Sequence, residues 1–199
     1  VATYRRQHRG GKGIIGHVTR EEDAVEHLLA ANTHDWALFF TNKGRVFSAK
    51  VHNIPDASRQ AKGMAIINLP GVQVESGEVP VATICLPNFE PGHYLVLATR
   101  RGIIKKTVLS DYGRPRRGGI IAVNLRDGDA LIGAAITSGS QEIVLAKKNG
   151  RSIRFHESAA RPMGRATEGV RGMSLRKGDE VIATSLAEDD ADVLVVTRN

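Results

Sequence analysis

From residue 25 onward the chain alternates short apolar runs with turn-forming residues. The runs are rich in Val, Ile, Leu and Thr, which are residues that favour strands over helices. Helical signals are few. One is a single short turn in which Thr19 and Glu22 have the spacing of a capping box. The pattern therefore predicts an all-β fold.

Three sequence elements recur in one order, at intervals of about 50 residues. The first is a strand, a turn ending in glycine and a second strand, with the glycine at Gly44, Gly102 and Gly150. The second is a basic glycine loop leading into a strand, at residues 59–63, 114–119 and 165–169. The third is a glycine and an acidic residue before an apolar strand, at residues 77–78, 128–129 and 178–179. Three independent markers with one order and one period identify a repeat.

A unit of about 50 residues with about four strands is typical of a propeller blade. The markers predict blades at residues 35–92, 93–140 and 141–188, with a loop and lead-in strand at residues 1–34. Residues 189–199 repeat the start of the hairpin element. The sequence thus predicts one propeller-like domain over residues 1–199, incomplete at its C-terminal end and left with an open sheet edge there.

The most unusual stretch is a glycine-rich basic loop near the start of the chain. It reads Gln7, His8, Arg9, Gly10, Gly11, Lys12 and Gly13, and Arg5 and Arg6 precede it. Glycines let backbone N–H groups approach a ligand closely, and the cations favour an anion such as a phosphate backbone. The loop is not a nucleotide P-loop, because Gly13 follows Lys12 where that motif has Ser or Thr. One repeat back from Gly63, it takes the place of a modified second element.

Charge and composition narrow the range of partners. Lys and Arg number 28 against 21 Asp and Glu, a formal net charge of +7, which favours a polyanion. The chain has no apolar run of about 18 residues, so a membrane is a weak alternative to nucleic acid. The single cysteine, Cys85, excludes an intrachain disulfide and a cysteine zinc site, and it fits a cytosolic protein.

The residues offer no catalytic or metal-binding motif. The seven histidines are scattered without an HExxH pair, and no serine lies in a nucleophile-elbow context. Acidic residues recur at turns, where capping explains them. We therefore expect no catalytic residues, no metal and no cofactor in this chain.

Beyond the glycine-rich loop, the cations collect at turns and strand ends. Since equivalent positions of successive units face the same way, we expect them to form a continuous basic band on an outer rim. Such a band suits bent duplex DNA, and five Phe and three Tyr are few for a stacking platform for single strands. The candidate DNA-binding residues of the band are Lys43, Arg45, Lys50, Arg59, Lys62, Arg100, Arg101, Lys105, Lys106, Arg114, Arg116, Arg117, Lys147, Lys148, Arg151 and Arg154.

A Gln-x-Arg-Gly-Gly-Lys-Gly loop ahead of basic blades resembles the C-terminal domain of DNA gyrase A, whose signature is the gyrase-A box. Residues 7–13 match that box except at its second position, where the family usually has Arg and this chain has His8. The resemblance extends through residues 25–199. Histidine carries less charge than arginine at neutral pH, so one phosphate contact is weaker than in the family.

The resemblance implies a β-pinwheel whose basic rim wraps duplex DNA with a fixed hand and without sequence specificity. In the family this wrap lets an ATP-dependent type II topoisomerase, an isomerase of the bacterial cytoplasm and nucleoid, introduce negative supercoils. The partners it implies are double-stranded DNA, the remainder of gyrase A, and gyrase B in a heterotetramer. ATP and Mg²⁺ act elsewhere in that enzyme, and its catalytic tyrosine belongs to the N-terminal part of gyrase A, so Tyr4, Tyr94 and Tyr112 receive no such role.

Two other interpretations remain open. The corresponding domain of topoisomerase IV has similar blades but typically lacks an intact box, which makes residues 7–13 the discriminating feature. A protein-interaction propeller with a merely solubilising rim would not bind duplex DNA at physiological salt. A self-contained hydrolase is the weakest alternative, since the sequence offers no clustered acid-base pair.

Overall fold

The computed structural model describes residues 7–13, 27–58, 61–114, 116, 118–188, 190 and 192. Within these residues the strands are β1 (Trp36–Thr41), β2 (Arg45–Lys50), β3 (Pro80–Leu86), β4 (Tyr94–Thr99), β5 (Ile103–Val108), β6 (Ile120–Ile121), β7 (Leu131–Thr137), β8 (Glu142–Lys147), β9 (Ser152–His156), β10 (Val170–Arg171) and β11 (Val181–Ala187). Short 3-10 helices lie at Val51–Asn53, Ile66–Asn68, Leu109–Tyr112 and Glu157–Ala159. No α-helix occurs in the described part of the chain, which confirms the predicted all-β class. The helical turn predicted near Thr19 lies outside the described residues.

The strands form three antiparallel sheets. Their strand orders are β3-β1-β2-β6, β10-β5-β4-β7 and β11-β8-β9. The predicted hairpins are confirmed as β1–β2, β4–β5 and β8–β9. In each hairpin the predicted glycine has a positive φ, between 73° and 79°, as a tight turn requires.

The first two sheets each borrow a strand from later in the chain. Strand β6 pairs with β2 through Val46↔Ile120, and β10 pairs with β5 through Ile104↔Val170. Both borrowed strands directly follow a second-element glycine loop. Each such loop therefore connects one repeat to the sheet of the repeat before it.

The sheets pack face to face, with an apolar core at each interface. The core between the first and second sheets includes Leu38, Phe40, Leu95, Leu97 and Leu131. The core between the second and third sheets includes Val96, Ala98, Ile104, Ile143 and Leu145. Strand β4 supplies side chains to both cores, which explains why its sequence is an uninterrupted apolar run. Each fully buried Leu, Ile, Val or Phe side chain in these cores contributes about 1.5–3 kcal/mol to folding.

The sheet edges differ in their surroundings. Strand β7 packs against β3 and β11, so these edge strands lie together on the inner side of the assembly. The borrowed strands β6 and β10 lie at the opposite edges of their sheets. We call the side that carries β6 and β10, together with the glycine loops before them, the outer rim.

The acidic residue of the third repeated element anchors each hairpin. Thr41 Oγ1 donates to Glu78 Oε1 at 2.6 Å, and Thr99 Oγ1 donates to Asp129 Oδ2 at 2.7 Å. In the third sheet a lysine takes this place, since Lys147 Nζ lies 2.8 Å from Asp179 Oδ2. These contacts hold the end of the first hairpin strand against the turn of the third element, which explains why the acid recurs.

Candidate nucleic-acid interface

The glycine-rich loop at residues 7–13 is exposed and closed on itself. Gln7 Oε1 accepts a hydrogen bond from the backbone N–H of Gly13 at 2.9 Å, and the N–H of Gly11 donates to the His8 carbonyl at 3.1 Å. A Cβ atom at Gly11 would lie 2.7 Å from Gln7 Oε1, so this arrangement of the loop favours glycine there. Gln7 thus shapes the loop, and the charges of Arg9 and Lys12 lie at its exposed surface.

The basic loops that lead into β6 and β10 lie on the outer rim. Lys62, Arg114 and Arg116 are exposed, as the sequence predicted. The loop before β6 passes so close to the first sheet that a Cβ atom at Gly119 would lie 2.8 Å from Phe47 Cε1. The strand exchange therefore determines where these cations are presented. The remaining candidates Arg5, Arg6, Arg59 and Arg117 lie outside the described residues.

The cations of the first hairpin are paired with carboxylates. Lys43 Nζ lies 3.2 Å from Glu75 Oε2. Arg45 Nη1 lies 3.1 Å from Glu75 and 3.0 Å from Glu78, and Arg45 Nη2 donates to the carbonyl of Gly118. The side chain of Arg45 is 21% exposed. Its charge is therefore largely matched within the protein.

Cations of the second and third hairpins are more exposed. Arg100 Nη2 donates to the Gly128 carbonyl at 2.8 Å, and its Nε lies 4.0 Å from Glu180. Lys148 Nζ lies 3.6 Å from the same carboxylate, with 69% of its side chain exposed. Arg101 and Arg151 are also exposed.

Two further candidates bind within the protein. The half-buried Lys50 donates to the His34 carbonyl at 2.7 Å, and its Nζ lies 4.3 Å from the centre of the Trp36 ring. Arg154 Nε lies 3.0 Å from Glu142 Oε2 in an exposed ion pair.

Three candidate lysines are buried, so their predicted place on a DNA-binding surface is wrong. Lys105, Lys106 and Lys147 are 1%, 3% and 6% exposed. Strand β10 covers the edge of β5 only at Ile103 and Ile104, and Pro162 lies beside Lys106. The side chain of Lys105 is enclosed beneath the loops at Ala122 and Arg165, and that of Lys106 lies against Glu157 and Tyr94. Lys147 is the partner of Asp179 in the hairpin anchor, and its hydrogen bond holds the pKa of Asp179 below its usual range, against the opposing effect of burial.

The ammonium group of Lys105 connects two loops of the outer rim. It donates to the Ala122 carbonyl at 2.6 Å and to the Arg165 carbonyl. Burial, together with the nearby charge of Arg165, lowers the pKa of Lys105 to about 8, although Asp111 acts in the opposite direction. Lys105 therefore has a structural role beneath the rim.

Lys106 and Glu157 form a buried ion pair. Lys106 Nζ lies 2.7 Å from Glu157 Oε2 and 4.2 Å from the centre of the Tyr94 ring. Burial alone would raise the pKa of Glu157, but hydrogen bonds from Lys106, Thr137 and Gln141 outweigh it and hold the pKa below its usual range. The pair lies within the fold and offers no charge to a ligand.

Among the described residues, five exposed cations were not predicted. They are Arg126, Arg161, Arg171, Arg176 and Lys177. Arg126 and Arg176 precede the acidic residue of the third repeated element by the same number of positions, so the repeat itself carried a signal for them. Arg126 Nε lies 2.7 Å from Glu168, an exposed ion pair.

The described residues contain no other obvious chemical site. Among them, no group of His, Cys, Asp and Glu side chains is arranged to hold a metal ion. Burial, followed by the charge of Asp35, raises the pKa of the Cys85 thiol, which disfavours the reactive thiolate. In the same part of the chain, no helix has the length and apolar character needed to cross a membrane.

Comparison with known proteins places these features in a family. The family model for the DNA gyrase C-terminal domain, beta-propeller, matches residues 1–32, 35–76, 93–138 and 141–188. The chain is 45% identical over 196 residues to the DNA gyrase A protein of Mycolicibacterium smegmatis, covering 98% of this chain and 23% of that protein. It is 44% identical over 202 residues to the DNA gyrase A protein of Staphylococcus aureus, covering 100% of this chain and 22% of that protein. The chain thus spans less than a quarter of the length of these curated relatives.

Solved structures show the same architecture. The crystal structure of the C-terminal domain of DNA topoisomerase IV matches with a TM-score of 0.79 and 30% identity, over 87% of this chain and 54% of that one. The structure of a DNA gyrase A C-terminal domain matches with a TM-score of 0.63 and 20% identity, over 92% of this chain and 58% of that one. The match to the gyrase A domain structure shows a shared fold and no more.

Proposed function

Because the chain belongs to the DNA gyrase A C-terminal domain family, we propose that it binds duplex DNA and wraps it around its basic outer rim. The binding has no sequence specificity, and the fixed hand of the wrap gives a gyrase the chirality needed to introduce negative supercoils. The observation that carries the proposal is the loop of residues 7–13, in which Gln7 closes an exposed glycine turn and leaves Arg9 and Lys12 at its surface.

The rim supplies the contacts that a wrap requires. Bending 20–30 bp of duplex by 40–90° costs on the order of 1–6 kcal/mol, so many phosphate contacts must offset it. Those contacts need no information about base sequence, since phosphates are the same along any duplex. The buried lysines are left out, as are the exposed cations paired with Glu75 and Glu142. The exposed candidate cations that remain are Arg9, Lys12, Lys62, Arg100, Arg101, Arg114, Arg116, Lys148 and Arg151.

The chain acts as one part of a larger enzyme. We place it beside the remainder of gyrase A and, through it, beside gyrase B in a heterotetramer within the cytoplasm and nucleoid. ATP hydrolysis, Mg²⁺ and the cleavage of DNA belong to other parts of that ATP-dependent topoisomerase. The contribution of this chain is to hold and orient DNA.

The corresponding domain of topoisomerase IV is the second candidate. Its C-terminal domain is the structural match with a TM-score of 0.79 and 30% identity, above the identity to the gyrase domain structure. The gyrase assignment is favoured by the 44–45% identity to gyrase A proteins over nearly the whole chain. It is also favoured by the closed loop at residues 7–13.

The proposal is tested by the salt dependence of binding to two duplexes of unrelated sequence. The logarithm of the association constant should fall with the logarithm of salt concentration with a slope of about −0.9 per phosphate neutralised, equally for both duplexes. Replacing Arg9 and Lys12 together by Gln should make the slope shallower by about two such contacts. A binding constant that does not change with salt, or absence of binding, would rule out the proposal.

A further inference from the structure

Each of the three repeats contains the same pair of facing turns, but the charges at these turns differ between repeats. In each repeat the hairpin turn lies against the turn of the third element, at residues 42–44 with 75–78, 100–102 with 126–129, and 148–150 with 176–179. The hairpin anchor is common to all three, which makes them an internal comparison.

In the first repeat the two turns are joined by hydrogen bonds, and their cations are paired with carboxylates. Asn42 Nδ2 donates to the Gly77 carbonyl at 3.0 Å, and Lys43 Nζ donates to the Ser76 carbonyl at 3.0 Å. Glu75 and Glu78 take up the charges of Lys43 and Arg45. These two turns therefore leave no cation for an external anion.

In the second repeat the arginines of the hairpin cover the facing turn. Arg100 Nη2 donates to the Gly128 carbonyl, and a Cβ atom at Gly128 would lie 2.9 Å from Arg101 Nη2. Arg126, in that facing turn, pairs with Glu168 at 2.7 Å. The space between these turns is therefore occupied by the protein's own side chains.

In the third repeat the space is open. A cleft of about 320 Å³ lies between the two turns, and its lining residues are Lys148, Asn149, Arg176, Lys177, Gly178 and Asp179. A Cβ atom at Gly150 or Gly178 would meet no atom within 4 Å. We call this space the tip cleft.

The tip cleft is positively charged. Asp179 is engaged by Lys147, and Glu180 lies between Lys148 and Arg100. Within the part of the chain that the structure describes, Arg176 and Lys177 form no ion pair, so their charges are available to a ligand.

We propose that the tip cleft binds a backbone phosphate of duplex DNA, which anchors the wrapped DNA at the third repeat. This inference rests on the proposed DNA-wrapping function and adds a site to it. Arginine and lysine around a small polar cleft suit a phosphate group. The lining contains no apolar or aromatic side chain, so a peptide anchor or a stacked base has nothing to bind. Arg151, exposed just before the hairpin's second strand, extends the positive surface beyond the cleft.

The test compares equivalent positions of two repeats. Arg176→Gln removes a cation of the tip cleft, and Arg126→Gln removes the equivalent cation of the second repeat, which is already paired with Glu168. Binding of the whole chain to a short fluorescent duplex is measured by anisotropy over a range of salt concentrations. Because both side chains lie at the surface, the thermal midpoints of the variants should match that of the wild type.

Loss of one phosphate contact should make the salt slope of R176Q shallower by about 0.9. If R176Q and wild type are taken to bind equally at 1 M salt, this change in slope makes R176Q bind about eightfold more weakly than wild type at 0.1 M salt. R126Q should keep the wild-type slope. The double variant R176Q/K177Q should lose about twice as much slope as R176Q.

The outcomes separate the two proposals. If wild type binds duplex DNA and R176Q behaves like R126Q, the tip cleft is not a phosphate site, although wrapping by the rest of the rim is untouched. If wild type does not bind duplex DNA, the proposed function itself fails. If fluorescent polyglutamate binds with the same dependence on Arg176 and displaces the duplex, the cleft belongs to an acidic protein partner and the DNA assignment is overturned.

Discussion

Gly169→Ala should uncouple the second and third repeats by disturbing the strand exchange. Gly169 precedes the borrowed strand β10 and has a φ of +105°. A Cβ atom there would lie 2.6 Å from the Ile104 carbonyl oxygen and 2.8 Å from Ile103 Cγ2. The backbone thus crosses β5 at a distance that only glycine permits, at the point where β10 joins the second sheet.

Two costs add at this position. Holding alanine at a positive φ costs roughly 1–2 kcal/mol, and forcing a methyl group against backbone costs roughly 1–3 kcal/mol more. The sum of about 2–5 kcal/mol is a large part of the roughly 5–15 kcal/mol that stabilises a typical domain. Gly150→Ala is the matched control, because Gly150 has a φ of +79° but no atom within 4 Å of its Cβ position. It should carry only the backbone cost.

Urea unfolding of both variants measures the difference, and hydrogen exchange locates it. G169A should unfold at a clearly lower urea concentration than G150A. It should also exchange the amide protons of β5 faster, since their pairing with β10 is weakened. Equal unfolding midpoints for the two variants, or unchanged protection of β5, would refute the reasoning that the close approach holds the repeats together.

Two further predictions concern the buried charges. Glu157→Gln leaves the Lys106 ammonium buried without its carboxylate and should lower the unfolding free energy by about 3–5 kcal/mol. The control Glu142→Gln, in an exposed ion pair, should lower it by less than about 1 kcal/mol. Similar losses for the two variants in urea titrations would contradict this prediction. Because the folded pKa of Glu157 is held below its ordinary value of 4.5, wild-type stability should fall as pH drops below about 4.5, and E157Q should lack that part of the fall. Burial lowers the pKa of Lys105 from 10.5 to about 8. Between pH 8 and pH 10.5 the unfolded chain therefore binds more protons than the folded chain, and the unfolding free energy should rise by up to about 3 kcal/mol over this range. Lys105→Met should remove that rise, and a wild-type curve as flat as that of the variant would count against the buried ammonium.

Much of the architecture could be predicted because the repeat is local. The hairpin glycines, the glycine loops and the recurring acids lie within a few residues of the turns they form, so each leaves a readable pattern. The hairpins at Gly44, Gly102 and Gly150 are where the sequence placed them. The blade boundaries at residues 35–92, 93–140 and 141–188 stay a prediction, as do the DNA contacts of the exposed cations.

The strand exchange could not be predicted in the same way. Ile120 and Ile121 form only a two-residue strand, and their partner strand β2 lies more than one repeat earlier in the chain. A period shows how often a unit recurs, but it does not show which sheet each strand joins. At β6 the pairing brings Gly119 into close contact with Phe47, a contact between residues far apart in sequence that no local pattern records.

The buried lysines were misplaced for a related reason. Lys105 and Lys106 are adjacent, so in a strand they point to opposite faces, and at least one could have been expected to be exposed. Both are enclosed by residues that are distant in sequence, since Lys105 lies beneath the loops at Ala122 and Arg165 and Lys106 lies against Glu157. Their apolar neighbours Ile103, Ile104 and Val108 were the available signal of a fully buried strand.

The proposed wrap of DNA around the rim, with a fixed hand, is tested most directly by its effect on linking number. The chain is bound to relaxed circular DNA, unconstrained supercoils are removed with a nicking-closing enzyme, and the topoisomers are compared after the protein is removed. We expect a shift in linking number that grows with protein concentration and is reduced when Arg9 and Lys12 are both replaced by Gln. Lys43→Gln is the control, because that ammonium is already paired with Glu75. Binding of wild type without any shift in linking number would contradict a wrap of fixed hand.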